Sequence, residues 1–298
     1  MLDDLKLIHE RDAQDALGIA EKQGAQLLAD LPLQGDLGER EITNVVYAGM
    51  GGSALVASYV PVWPGIRVPY EVVRDYELPA YVSPRTLVIV ASYSGNTEEA
   101  LSSLDDAEAK GAQIVIIAGG GKLQAAAEAK GLPWIQLPKA AQPRYAALYN
   151  FRALINILDA ARLIDGLKAV AEFTAAADFL AVATSGWRPD VPTSSNPAKQ
   201  LALEMIGRSV VVYSGPKLFP AAYKWKIDFN ENAKQVAWLG CYPEFNHNEF
   251  LGWTKQPTDK PYAVVDLRSN LEHERIQRRF EVSARLLSGM RPEPHVVE

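Results

Sequence analysis

The segment Ser92–Thr97 reads SYSGNT and sets three hydroxyls, at Ser92, Ser94 and Thr97, around a glycine. It follows the apolar run TLVIVAS and leads directly into TEEALSSLDDAEAK, a strand-to-helix transition. Hydroxyls there, with the amides near Gly95 and Asn96, can surround a phosphate with neutral donors at a helix N-terminus whose dipole favours negative charge. An ordinary N-cap needs only one such hydroxyl, with Glu98 and Glu99 suiting the first turn. The surplus predicts an anion cradle.

A second glycine-rich segment, GMGGSA (Gly49–Ala54), also follows a β-branched run and opens a helix. Gly51 and Gly52 would let the backbone approach an anion, and Ser53 could donate to it. By itself this motif leaves three readings open: a tight turn, a sugar-phosphate loop, or a dinucleotide loop with Glu71 or Asp75 as the ribose acid. SYSGNT weakens the dinucleotide reading, because a dinucleotide needs no second hydroxyl cradle.

The elements that would hold these loops alternate. Apolar runs at Asn44–Gly49, Val68–Val73, Thr86–Ser92, Gln113–Gly119 and Pro133–Leu137 read as strands buried on both faces. Helical stretches at Ser53–Val60, Thr97–Lys110 and Lys122–Lys130 lie between them, the last two followed by Gly111 and Gly131 in C-cap positions. Helical spacing returns at Tyr145–Leu167 and Ala171–Thr184, and Thr184–Pro197 is rich in turn formers. Further strands are predicted at Ser209–Ser214, Lys234–Gly240 and Pro261–Leu267, with helices at Asn196–Gly207, Phe219–Phe229 and Leu271–Leu287. This order predicts an α/β fold of two doubly wound, flavodoxin-like αβα domains with parallel sheets. The expected domains are 1–150, with the anion loops, and 151–298.

A chain of 298 residues is long enough for two such domains. Net charge is −6 and the cations are scattered, which argues against nucleic acid as a partner. The opening MLDDLKLIHERDAQDALGIA reads as an amphipathic helix rather than a signal peptide, and no apolar run is long enough to span a bilayer. With a single cysteine, Cys241, read as a packing residue, these features predict a cytoplasmic protein without membrane partners. His9, His273 and His295 are scattered and no HExxH or cysteine cluster occurs, so no metal and no other cofactor is expected.

GMGGS and SYSGNTEEAL resemble the phosphosugar-binding loops of the sugar isomerase (SIS) superfamily. QPRYAALY, KIDFNENAK and PEFNHNEFLGW, in that order, look like the bifunctional phosphoglucose/phosphomannose isomerases, so the resemblance covers most of the chain. It implies SIS-type domains that interconvert glucose 6-phosphate, and also mannose 6-phosphate, with fructose 6-phosphate, without metal. By the same resemblance, Ser53, Ser92, Ser94 and Thr97 hold the substrate phosphate, and the backbone at Gly51, Gly52 and Gly95, read above as able to approach an anion, joins them. Glu231 is then the base, Arg144 lies near the reacting carbons, and His247 assists ring opening. In this superfamily the histidine comes from a neighbouring subunit, which implies a homodimer.

Chemistry agrees with these assignments. Moving a proton between adjacent carbons through an enediolate needs a carboxylate base, and NEN around Glu231 suggests a shaped loop that could hold one. Histidine exchanges protons near neutral pH, and a guanidinium stays ionised. The bland alternatives are a surface glutamate, a polar helix-start histidine and a salt-bridged arginine. Family members end with a threonine between prolines and then a lysine, whereas here Glu293 stands at the threonine position and no lysine lies beyond Lys260. A sugar-phosphate-binding protein without turnover is therefore the alternative function.

Overall fold

The computed structural model describes residues 2–140 and 142–298 and divides into two compact units between Val191 and Pro192. The first unit starts with two short helices, α1 (Leu5–Arg11) and α2 (Ala16–Lys22), where the sequence predicts one. Asp12 is the reason. Its carboxylate accepts from Ala16 N at 2.8 Å and Leu17 N at 2.9 Å, so it caps a new helix instead of continuing the old one.

Next come β1 (Asn44–Gly49), α3 (Gly51–Leu55), β2 (Tyr70–Val73), β3 (Thr86–Ser92), α4 (Glu98–Ala109), β4 (Gln113–Ala118), α5 (Gly121–Lys130), β5 (Trp134–Gln136), α6 (Ala147–Ala160) and α7 (Gly166–Ala183). The sheet is parallel in the order β2-β1-β3-β4-β5. Both faces are covered, which explains the unbroken apolar runs of β1, β3 and β4. On one face Tyr47, Ile89 and Ile117 pack with Phe151, Leu154 and Phe173, and on the other Val88 and Ile116 pack with Leu104 and Leu123.

Helices α6 and α7 thus complete the first core, and the division falls at Val191 rather than at the expected 150. A boundary at 150 would strip Phe151, Leu154, Leu158 and Phe173 from that face. At roughly 2 kcal/mol per large apolar side chain, the loss approaches about 8 kcal/mol, comparable to a domain's whole net stability.

The second unit runs α8 (Pro197–Met205), β6 (Ser209–Ser214), α9 (Phe219–Glu231), β7 (Ala237–Cys241), α10 (Glu249–Gly252), β8 (Tyr262–Leu267), α11 (Glu274–Leu286) and β9 (His295–Val297). Its sheet is parallel in the order β7-β6-β8-β9. The edge strand β9 is too short for its sequence to announce. It pairs with β8 from Val265↔His295 to Leu267↔Val297, and the residue that leads into it, Arg291, is buried 3.7 Å from the buried carboxylate of Asp266. Desolvation raises the Asp266 pKa even though Arg291 and Arg268 pull it down.

Candidate active site

In the order 2-1-3-4-5 the chain winds outward in opposite directions from β1 and β3, so a crevice opens beyond their C-terminal ends. The loops after β1 and β3 are GMGGS and SYSGNT. The two sequence motifs therefore meet at the switch point of the first sheet.

The three hydroxyls converge there. Ser92 Oγ lies 2.7 Å from Thr97 Oγ1 and 3.4 Å from Ser94 Oγ. Gly95 N donates to Ser92 Oγ at 3.1 Å and Asn96 N to Ser94 Oγ at 3.2 Å. Thr97 stands at the N-cap of α4, yet its side chain makes no capping hydrogen bond. Its hydroxyl faces Ser92 instead, so the first turn of α4 keeps amides that the side chain does not use.

Glycine is required in this loop. Gly95 has φ +67°, and a Cβ there would lie 1.7 Å from Gly120 O. The loop after β4 is pressed onto the cradle, with Gly119 N donating to Tyr93 O at 3.0 Å and Lys122 N to Asn96 Oδ1 at 3.1 Å.

Ser53 joins the two motif loops. Its buried hydroxyl accepts from Tyr93 N at 3.1 Å, while its carbonyl accepts from Tyr47 OH at 2.7 Å and Asn150 Nδ2 at 3.0 Å. Tyr47 is wholly buried and its phenol pKa is raised by desolvation, which keeps it a donor. Gly52 lets a third segment approach, because a Cβ there would lie 3.3 Å from both N and Cα of Arg144. The turn with Arg144 is braced by Gln26, whose amide donates to Tyr145 O at 2.7 Å and accepts from Tyr149 N at 3.3 Å. The guanidinium lies 4.8 Å from the centre of the Tyr145 ring. The structure thus gathers Gly51, Gly52, Ser53, Ser92, Ser94, Gly95, Thr97 and the Arg144 turn in one unit. The acids of the dinucleotide reading are used locally: Glu71 accepts from Tyr81 OH, and Asp75 from Tyr76 N.

In the second unit, NEN is not the expected loop. α9 stays helical through Asn230 and Glu231, and Asn232 is its C-cap, its N–H donating to Asp228 O at 2.8 Å. The flanking asparagine explains the continuation, since Asn230 Oδ1 accepts from Ala237 N at 2.9 Å and ties the helix end to β7. Glu231 is exposed on that last turn. His247 ends a 3-10 turn, Glu244–His247, directly before α10. Its neighbours are both engaged. Asn246 donates to Ser283 Oγ at 2.8 Å and accepts from Arg279 at 3.1 Å, and Asn248 accepts from Glu249 N while donating to Glu244 at 2.8 Å. The asparagines hold the turn while the imidazole is exposed.

Cys241 is half-buried, donates to Tyr242 O at 3.2 Å, and burial pushes its thiol up to about 11, which suits packing rather than nucleophilic chemistry. Glu293 is exposed on the link between Arg291 and β9. Among the described residues no helix is long and apolar enough to cross a membrane. The residues that sequence reasoning missed are supports: Gln26, Tyr47, Asn150 and Arg279. Their long-range partners leave no local signal.

Comparison with known proteins agrees with this fold. Residues 40–161 match the SIS domain, and residues 194–298 match the bacterial phospho-glucose isomerase C-terminal SIS domain. A bifunctional phosphoglucose/phosphomannose isomerase of Caldicellulosiruptor bescii is 36% identical over 84% of this chain and 74% of its own. A D-glucosamine-6-phosphate 4-epimerase of Sulfolobus acidocaldarius is 30% identical over 76% of this chain and 70% of its own. Among solved structures, the C-terminal domain of a glucosamine-fructose-6-phosphate aminotransferase from Francisella tularensis shares the fold, with TM-score 0.62 and 13% identity over 97% of this chain and 82% of that one. The chain belongs to the SIS-domain family of bifunctional phosphoglucose/phosphomannose isomerases and is a sugar-phosphate isomerase.

Proposed function

We propose that this isomerase interconverts glucose 6-phosphate and fructose 6-phosphate, with mannose 6-phosphate as a further substrate, by metal-free proton transfer through an enediolate. The reading is carried by the hydroxyls of Ser92, Ser94 and Thr97, which turn toward one another instead of capping α4. Together with Ser53 and the amides near Gly51, Gly52 and Gly95, they hold the substrate phosphate.

His247, supplied by the neighbouring subunit of a homodimer, exchanges the protons that open the ring. Glu231 then removes the proton from C2 of the open aldose. The C2–H electron pair forms the C1–C2 double bond and the carbonyl pair moves onto O1, giving an enediolate stabilised by Arg144. A proton passes from the C2 hydroxyl to O1, the C2 carbonyl forms, and protonated Glu231 returns its proton to C1. Proton transfer of this kind contributes about 10²–10⁴-fold to rate. The protein works in the cytoplasm.

The test is a coupled assay with glucose, mannose, fructose and glucosamine 6-phosphates on wild type and Glu231→Gln. Wild type should turn over glucose and fructose 6-phosphates, and the variant should lose at least about a hundredfold in kcat with KM kept. Binding without turnover in wild type would assign the non-catalytic alternative. Mixing Glu231→Gln with His247→Ala subunits should restore activity, because one site in each mixed dimer then holds both groups.

A further inference from the structure

The second unit has a cavity lined by none of the residues assigned above to the isomerase reaction. It has a volume of about 320 Å³ and is walled by Trp238 of β7, Tyr262 of β8 and Trp253, just past α10. The rings stand nearly edge to face. Trp253 and Tyr262 are 5.3 Å apart at 85°, and Trp238 and Tyr262 are 6.5 Å apart at 67°. Trp238 is 48% exposed, an unusual setting for a tryptophan on a strand.

A carboxylate completes the wall. Trp253 Nε1 donates to Tyr213 OH at 2.9 Å, and Tyr213 OH donates to Glu249 Oε2 at 3.0 Å. Burial raises the Tyr213 phenol pKa and keeps that proton on the ring. The approach depends on Gly240, where a Cβ would lie 2.5 Å from the Tyr213 ring and 3.1 Å from Glu249 Oε1. Lys260 does not line the cavity, and its ammonium is bound to the carbonyls of Pro257 at 2.7 Å and Lys255 at 3.0 Å.

We propose that this aromatic cavity binds a small organic cation, an alkylammonium or guanidinium group, in the corner formed by Trp238 and Tyr262 with Glu249 as counter-charge. Ring faces attract cations electrostatically, which suits a charge too diffuse for hydrogen bonds alone. An anion would meet both the exposed Glu249 carboxylate and the negative ring faces, and a neutral guest would gain nothing from either. The volume admits an alkylammonium or guanidinium group.

Titration calorimetry on the 298-residue chain tests this, with choline and arginine amide as probes against the neutral isostere of choline in which carbon replaces nitrogen. Both cations should bind saturably and the isostere should not. Trp238→Ala and Glu249→Gln should each weaken binding about tenfold, the first at an exposed position and the second retaining an acceptor for Tyr213. Equal binding of the isostere, or unchanged binding in folded Trp238→Ala, overturns the proposal. Binding of hexalysine with no response to choline or arginine amide also overturns it, because the cavity would then belong to a macromolecular partner.

Discussion

The two units build the same crevice and fill it differently. In the first, the loops after β1 and β3 are tied by a neutral hydroxyl, Ser53 Oγ, accepting from Tyr93 N. In the second, the corresponding loops after β6 and β8 are tied by a buried carboxylate. Glu272, from the loop after β8, accepts from Lys217 N at 2.8 Å and Leu218 N at 3.3 Å, at the start of α9. A Cβ on Gly215 would fall 2.3 Å from the Glu272 carboxyl carbon, so the close approach depends on that glycine. Both crevices attract negative charge for the same dipolar reason, but the second already holds one of the chain's own. The same architecture is thus closed by the chain's own carboxylate in the second unit, whereas in the first the proposed occupant is a ligand's phosphate.

The largest expected effect comes from closing the first crevice. Gly95→Ala should lower sugar-phosphate affinity at least about a hundredfold and cost about 3 kcal/mol in denaturant unfolding, from overpacking against Gly120 and a left-handed backbone. Unaltered affinity by titration would remove the first crevice from the comparison. Next is emptying the second. Glu272→Ala leaves the Lys217 and Leu218 amides without their carboxylate and should cost about 2 kcal/mol. Inorganic phosphate should then raise the variant's melting temperature more than that of wild type, while substrate KM is unchanged. If phosphate gives the variant no added stability, the two crevices are not equivalent. The smallest effect separates cradle from cap. Thr97→Val should change stability by less than about 0.5 kcal/mol, below the roughly 1 kcal/mol of a lost cap, but raise KM several-fold. The opposite result would make Thr97 an ordinary helix cap.

Much of this was legible in the sequence, and the pattern of what was not is physical. β1, β3, β4, β6 and β8 could be read because strands buried on both faces must be apolar throughout. The hydroxyl cradle could be read because its members lie within one segment. The unit boundary could not, because α6 and α7 look alike whichever sheet they cover. Glu272 and Arg291 lie in polar stretches that read as surface, and only tertiary packing buries them. The end of α9 was misread because Asn230, a helix breaker by propensity, is held by a bond to Ala237 formed only once β7 is in place.

The buried bonds to Ser53 bear on timing. Asn150 is 97 residues further along the chain than Ser53 and 103 further than Tyr47, so the glycine-rich loop cannot take its final shape until α6 has docked. Contacts of such separation form late, because the entropy of closing the intervening chain is lost before they repay it. The shape of the glycine-rich loop is thus a property of the finished unit, not of the strands that flank it.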